Sequence, residues 1–205
     1  MMRIIGASVL IILAVLFRTL WHVAPNVEYV TTASFLAAAY LGGAWAVLVP
    51  FSIMVLTDTL IGNTSIFIFT WSAYMIIGFL GFLGMKSQNS CSPTDKTNLN
   101  TPSANRRSGQ NQILNLKILR ATGLGITASL FFYLYTNFGV WLLDSWEMYP
   151  RTLAGLMECY VMGLPFLKLN LLGNLFFIPV SFGIVEGIKA FYAQKSWPLY
   201  LIFRR

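Results

Sequence analysis

Histidine is almost missing from this chain: His22 is the single one in 205 residues. Cysteine occurs twice, acids only 7 times, and charged residues make up 10% of the sequence. A soluble domain carries about a quarter charged residues. Each scarcity excludes something. A lone histidine cannot build a His-based metal site. Cys91 lies in a polar tract and Cys159 in an apolar one, so they give neither a disulfide framework nor metal-ligand spacing. There is no GxxxxGK[ST], no HExxH and no GxSxG, which removes phosphate-loop hydrolysis, zincin chemistry and the hydrolase elbow. The "GLG" at 123–125 reads as helix packing inside a span. Nothing here points to an enzyme, and no cofactor is expected.

What is abundant is apolar. Hydrophobic residues make up 57%, with 16 phenylalanines. Several runs approach the roughly 20 residues that cross a bilayer as a helix. Stretches such as "ITASLFFYLY" do not alternate, as a membrane β-strand would. Backbone polar groups in lipid must then be satisfied within each segment, which predicts helices. The expectation is an all-α membrane protein, one domain with a six-helix transmembrane bundle. The spans fall at about 4–20, 29–42, 45–61, 65–84, 119–143 and 171–192. Arg3 and the run after it resemble a signal peptide, but no small-x-small cleavage site follows, so an uncleaved first span is expected. Residues 86–118 are rich in Ser, Asn, Thr and Pro, and the prediction there is a flexible cytoplasmic loop.

The formal net charge of +7 belongs to topology rather than to nucleic acid. With six spans, one face carries Arg3, Lys86, Lys96, Arg106, Arg107, Lys117, Arg120, Lys189, Lys195, Arg204 and Arg205. The other has only Arg18, Arg151 and Lys168. By the positive-inside rule both termini are cytoplasmic. The acids segregate the other way: Glu28, Asp58, Asp144, Glu147 and Glu158 fall on the outer side, and Asp95 and Glu186 inside. Glu186 and Lys189, three apart, read as a local helix pair.

Polar and aromatic groups gather toward the outer ends of the spans. Asp58 stands out, because it follows "VLVPFSIMVLT" and sits about one turn from the boundary. A charge at that depth is costly, faces the bundle interior and tends to mark a substrate or ion path. Arg151 is the expected counter-ion. Trp71 and Tyr74, three apart, occupy neighbouring positions of one helical face. Asn137 and Trp141 end span five, and Asn174 starts span six. His22, Asn26 and Asn63 lie in outer loops. These ten residues form the candidate solute-binding set. Between Pro150 and Pro165, "RTLAGLMECYVMG" predicts a short outer-face helix, too short to span and placed to act as a lid.

The strings "LWHVAPNVEYVTTASFLAAAYLGGAWAVLVPFSIMVLTDTLIG", "YTNFGVWL", "YPRTLAGLMECYVMGLPF" and "LLGNLFF" resemble an uncharacterised family of small bacterial membrane proteins. That family is similar to the substrate-binding S components of energy-coupling-factor transporters. The resemblance covers nearly the whole chain except 86–118. It implies a bacterial inner-membrane location, an outer-face pocket for a vitamin-like micronutrient, and a transmembrane coupling subunit with ATPases as partner. It departs in the first span. S components often carry small residues four apart there, whereas Gly6 is followed by Leu10 and Ala7 and Ala14 are seven apart.

The expected function is therefore solute binding for membrane transport, with a small-molecule solute and membrane lipids as partners and no nucleic acid. The alternatives are a ligand-free assembly partner and a membrane enzyme acting on a lipid-like substrate.

Overall fold

The computed structural model describes residues 2–20, 27–62, 66–90, 103–143 and 147–194. All the regular structure among them is helical: α1 (Met2–Thr19), α2 (Val30–Leu36), α3 (Gly43–Ile61), α4 (Phe67–Ser90), α5 (Ser103–Leu143) and α6 (Leu153–Gln194). A π-helical turn, Ala37–Leu41, continues α2.

Among the described residues, four helices are long and apolar enough to cross a membrane, with windows at Gly43–Ile61, Phe67–Lys86, Leu114–Leu143 and Leu153–Tyr192. Their outward faces are apolar too. Ile68, Leu119, Leu153 and Phe176 are all more than half exposed. Soluble monomers rarely show apolar patches on this scale. Lipid is the solvent that such a surface fits, so the chain is a membrane protein.

The core is unusual in having a short helix at its centre. From Tyr29 to Ala38 every residue is buried. α2 touches α1, α3, α4, α5 and α6. Ala33, Ser34, Ala37 and Ala38 are small enough to let neighbouring helices close in on all sides. Together α2 and its π turn run Val30–Leu41, about 18 Å at the helical rise, well short of a hydrocarbon core of about 30 Å. The π turn closes with the Gly42 amide donating to the Ala37 carbonyl at 3.0 Å. Gly42 then leaves at φ 112°, a value L side chains rarely adopt, so glycine makes the reversal into α3. At Gly78 a Cβ would lie 2.0 Å from the Ala46 carbonyl, so the missing side chain is what lets α3 and α4 touch backbone to backbone.

Two expectations need correction. The short outer helix does not exist as a separate element. α6 runs without interruption through Pro165 and Pro179. Proline ends most helices, but in a membrane bundle neighbours can take up the groups it frees. One residue before the Val161 carbonyl, which Pro165 leaves without its helical donor, the Tyr133 hydroxyl donates to the Tyr160 carbonyl at 2.5 Å. The expected loop over 86–118 is also shorter than the sequence suggested. Helical backbone covers 86–90 and 103–118, leaving 91–102 outside the described residues. Extending a formed helix fixes one residue per added hydrogen bond, so a long apolar α5 can carry a polar first section at little cost.

Candidate functional site

The chain direction alternates, so the C-terminal ends of α1 and α3 meet the N-terminal ends of α2 and α4. Five charged or polar groups converge there. Arg18, one residue from the end of α1, donates from Nη2 to Asp58 Oδ1 at 3.1 Å. Its Nε lies 3.6 Å from Glu28 Oε1, just before α2. The Trp71 indole N–H donates to Asp58 Oδ2 at 2.5 Å. The Tyr74 hydroxyl donates to Glu28 Oε2 at 3.0 Å. The Asp58 side chain is only 6% exposed, and Tyr74 is fully buried.

Geometry explains the choice of residues. A guanidinium presents a planar fork that can serve two acids at once, which an ammonium point charge does less well. Trp71 and Tyr74 are three apart on α4, so one face of that helix supplies both neutral donors. With Arg18 they engage both carboxylates. The three ionised side chains sum to a formal charge of minus one.

Of the residues expected to gather around a solute, Asp58, Trp71 and Tyr74 lie together, but the cation paired with Asp58 is Arg18 rather than the expected Arg151. Arg151 does not reach Asp58. It donates from Nη1 to the Leu142 carbonyl and from Nη2 to the Leu143 carbonyl, at the end of α5. Those carbonyls have no partner within the helix, and a nearby cation also suits the negative end of the helix dipole. Trp141 joins the same clasp, its indole donating to the Pro150 carbonyl at 3.1 Å. Arg151 and Trp141 therefore tie the α5–α6 connection rather than facing the Asp58 cluster. Arg18 was legible in principle. It is one of few cations on its side of the charge bias, and a buried acid needs one.

Asn137 and Asn174 belong to a third place, the seam between α5 and α6. The Asn174 amide donates to Ser129 Oγ at 2.8 Å and to Asn170 Oδ1 at 3.2 Å. The Asn137 amide donates to the Tyr133 carbonyl at 2.8 Å, and the Cys159 thiol reaches the Asn137 carbonyl at 3.3 Å. A crevice of about 20 Å³ opens among Ser129, Phe132, Thr136, Asn137, Phe166 and Asn170. That is room for about one water, far below the few hundred Å³ of a cofactor-sized site. Phe132 also packs against Tyr74, the rings tilted by 40° with centroids 4.8 Å apart, so the seam abuts the charged cluster. His22, Asn26 and Asn63 lie outside the described residues.

The other end of the bundle holds a second cluster. Glu186 pairs with Lys189 at 3.3 Å, as the spacing predicted. It also takes Lys117 Nζ at 2.7 Å and the Tyr40 hydroxyl at 2.7 Å. Neither of these was visible in the sequence, because they come from α5 and from the π turn.

Residues 1–196 match the model of a family of unknown function, DUF6580, and the chain belongs to that family. No curated protein and no solved structure matches it.

Proposed function

We propose that the chain is a membrane transport protein that captures a small solute at the end of the bundle where Arg18, Glu28, Asp58, Trp71 and Tyr74 meet. One observation carries the reading: a charged network sits at the start of a buried helix too short to span. Interrupted or short helices ending at a charged group are how many transporters build their substrate and ion sites. Ionisable groups inside an apolar bundle are expensive and tend to mark such paths. Among the described residues two carboxylates stand against one guanidinium at the positive end of α2, and on that count the proposed solute bears a cationic group. Thr32 adds support. It lies one turn after Glu28, and its hydroxyl is buried without a partner, a cost of about 1–3 kcal/mol that a bound polar atom would relieve.

The reading extends to topology. The bias of Lys and Arg toward the Lys117 end makes that end cytoplasmic and the Asp58 end outward, in a bacterial inner membrane. A vitamin-like micronutrient is the solute class that the S-component resemblance suggests. Docking to a coupling subunit receives less support. Ala7 and Ala14 face the core, and the outward side of α1 shows Ile5, Val9, Ile12 and Leu16. That surface suits lipid, so the proposal has the chain bind its solute alone.

The test is mass spectrometry of small molecules that co-purify with the detergent-solubilised protein, before and after denaturation. A stoichiometric compound, released only on unfolding and lost in a folded Asp58→Asn variant, is the expected result. An Asp58→Asn variant that retains the compound in full would overturn the site. A wild-type protein that carries nothing and binds no compound in a screen of amine-bearing micronutrients would overturn the function.

A further inference from the structure

The two acids at the Asp58 end are not equally occupied. Asp58 has both oxygens taken, by Arg18 at 3.1 Å and by Trp71 at 2.5 Å. Glu28 has one taken, Oε2, which accepts from the Tyr74 hydroxyl at 3.0 Å. Its Oε1 stands 3.6 Å from Arg18 Nε, near enough for an ion pair and too far for a hydrogen bond. Among the described residues that oxygen accepts no hydrogen bond. Glu28 is also the more open of the two acids, with 18% of its side chain exposed against 6%.

Thr32 supplies a second uncommitted oxygen. Other buried hydroxyls of the bundle turn back onto their own helix. Ser34 donates to the Val30 carbonyl, Thr57 to that of Ile53, Ser129 to that of Gly125 and Thr136 to that of Phe132, at 2.7–3.0 Å. Thr32 does not: it is fully buried and its hydroxyl has no partner. Its neighbours fix the side of α2 on which it lies. Glu28 meets α4 at Tyr74, and Phe35 meets α4 at Gly81, where a Cβ would lie 2.6 Å from the Phe35 ring. Positions 28, 32 and 35 form one stripe at spacings of four and three, so Thr32 lies between those two contacts, on the α4 side.

We infer that Glu28 Oε1 and Thr32 Oγ1 bind an alkali-metal cation, sodium or potassium, with the Tyr74 hydroxyl oxygen at the rim of the site. Carboxylate and hydroxyl oxygens suit hard ions. A single positive charge brings the two carboxylates and one guanidinium to neutrality, where an unbalanced buried charge is costly. Water could bond both oxygens but leaves that charge, and a divalent ion overshoots it. Zinc and calcium sites also draw on more ligands, and among the described residues no three His, Cys, Asp or Glu side chains gather. Arg18 stays with Asp58, on the deeper side of the cluster. The inference deepens the transport reading and rests on it in one respect. A cationic solute answers the same charge, so by linkage the ion and the solute lower each other's affinity.

The test is thermal unfolding of the full chain in detergent, with NaCl or KCl titrated against N-methyl-D-glucamine chloride at constant ionic strength. The wild-type midpoint should rise and saturate with an alkali ion. The ion that acts at the lower concentration is the one the site takes. Thr32→Val keeps the shape and removes a ligand. It should raise the half-saturating concentration about tenfold. In the organic cation alone it should unfold no lower than wild type, since an unpaired hydroxyl is gone. A merely structural role for Thr32 predicts the opposite pattern, a lower midpoint in every salt with the ion response unchanged. Glu28→Gln should abolish the response, and should that variant fail to fold, Thr32→Val carries the ligand arm. A wild-type midpoint equal in all three salts would overturn the inference. So would an ion response that Thr32→Val leaves intact. The titration uses no solute, so its failure and the failure to find a co-purifying compound are separate results.

Discussion

The two ends of the bundle solve one problem in opposite ways. At the Asp58 end two carboxylates share one guanidinium; Asp58, the central acid, is 6% exposed, while Arg18 and Glu28 are 15% and 18% exposed. At the Glu186 end two ammonium groups share one carboxylate, and all three are about 20% exposed. The difference in burial matters more than the difference in sign. A buried ion must be paired within the protein, because desolvation costs several kcal/mol per ion. A half-exposed one can lean on water or on headgroups. The deep cluster therefore draws donors from two helices, Arg18 from α1 and Trp71 and Tyr74 from α4, and both oxygens of Asp58 are taken within the protein. The shallow cluster keeps spare donors. α2 connects the two: Glu28 precedes its first turn, and Tyr40 lies in its last.

This contrast should appear most strongly when the central acid of each cluster is removed. Asp58→Ala leaves Arg18 with one distant acid and strands the Trp71 N–H. Breaking a buried pair from one side costs about 3–5 kcal/mol. Glu186→Ala leaves two lysines facing each other, but both can turn to water, so the loss should be nearer about 1 kcal/mol. Thermal unfolding of the two variants in the same detergent measures the difference. Equal losses would mean that burial does not rank the two clusters.

The next effect down compares the tyrosine hydroxyls of the two clusters. Tyr74 donates to Glu28 from the core, and a hydrogen bond to a charged group is worth about 1.5–3 kcal/mol. Tyr40 donates to an oxygen that already has two lysines, so its loss should fall at about 0.5–1 kcal/mol. Tyr74→Phe should thus lower the unfolding temperature more than Tyr40→Phe. The reverse order would show that the π turn, and not the Asp58 end, is the stability centre.

The same contrast explains what could be read in advance. Long apolar windows come from composition, so α3, α4, α5 and most of α6 were legible. So were pairs set by local spacing: Trp71 with Tyr74, and Glu186 with Lys189. Contacts between helices were not. Arg18 and Asp58 are 40 positions apart, and only the packing of α1 on α3 joins them. Arg151 looked like the missing cation because it is near in topology, yet the open carbonyls at the end of α5 are nearer in space. Pro165 reads as a stop in a soluble helix. In this membrane bundle the helix continues through it. The encirclement of α2 was hidden for another reason. The stretch 29–42 already reads as a short span, but nothing in its composition shows that five neighbours surround it.

The smallest predicted effect isolates the local pair from the network around it. Lys189 and Glu186 are three apart on α6, an arrangement that contributes about 0.2–0.5 kcal/mol on a helix surface and is screened by salt. A double-mutant cycle on Lys189→Ala and Glu186→Gln should return a coupling in that range, shrinking as salt is raised. The same cycle on Arg18→Ala and Asp58→Asn should return a coupling of about 1–3 kcal/mol that salt hardly changes, because no mobile ion can enter between groups so deeply placed. Salt is thus the probe that separates the clusters without altering either one. If the Arg18–Asp58 coupling falls with salt as steeply as the Lys189–Glu186 coupling, the Asp58 end is open to water. The surplus negative charge proposed to attract a cationic solute would then be neutralised by ordinary counter-ions instead.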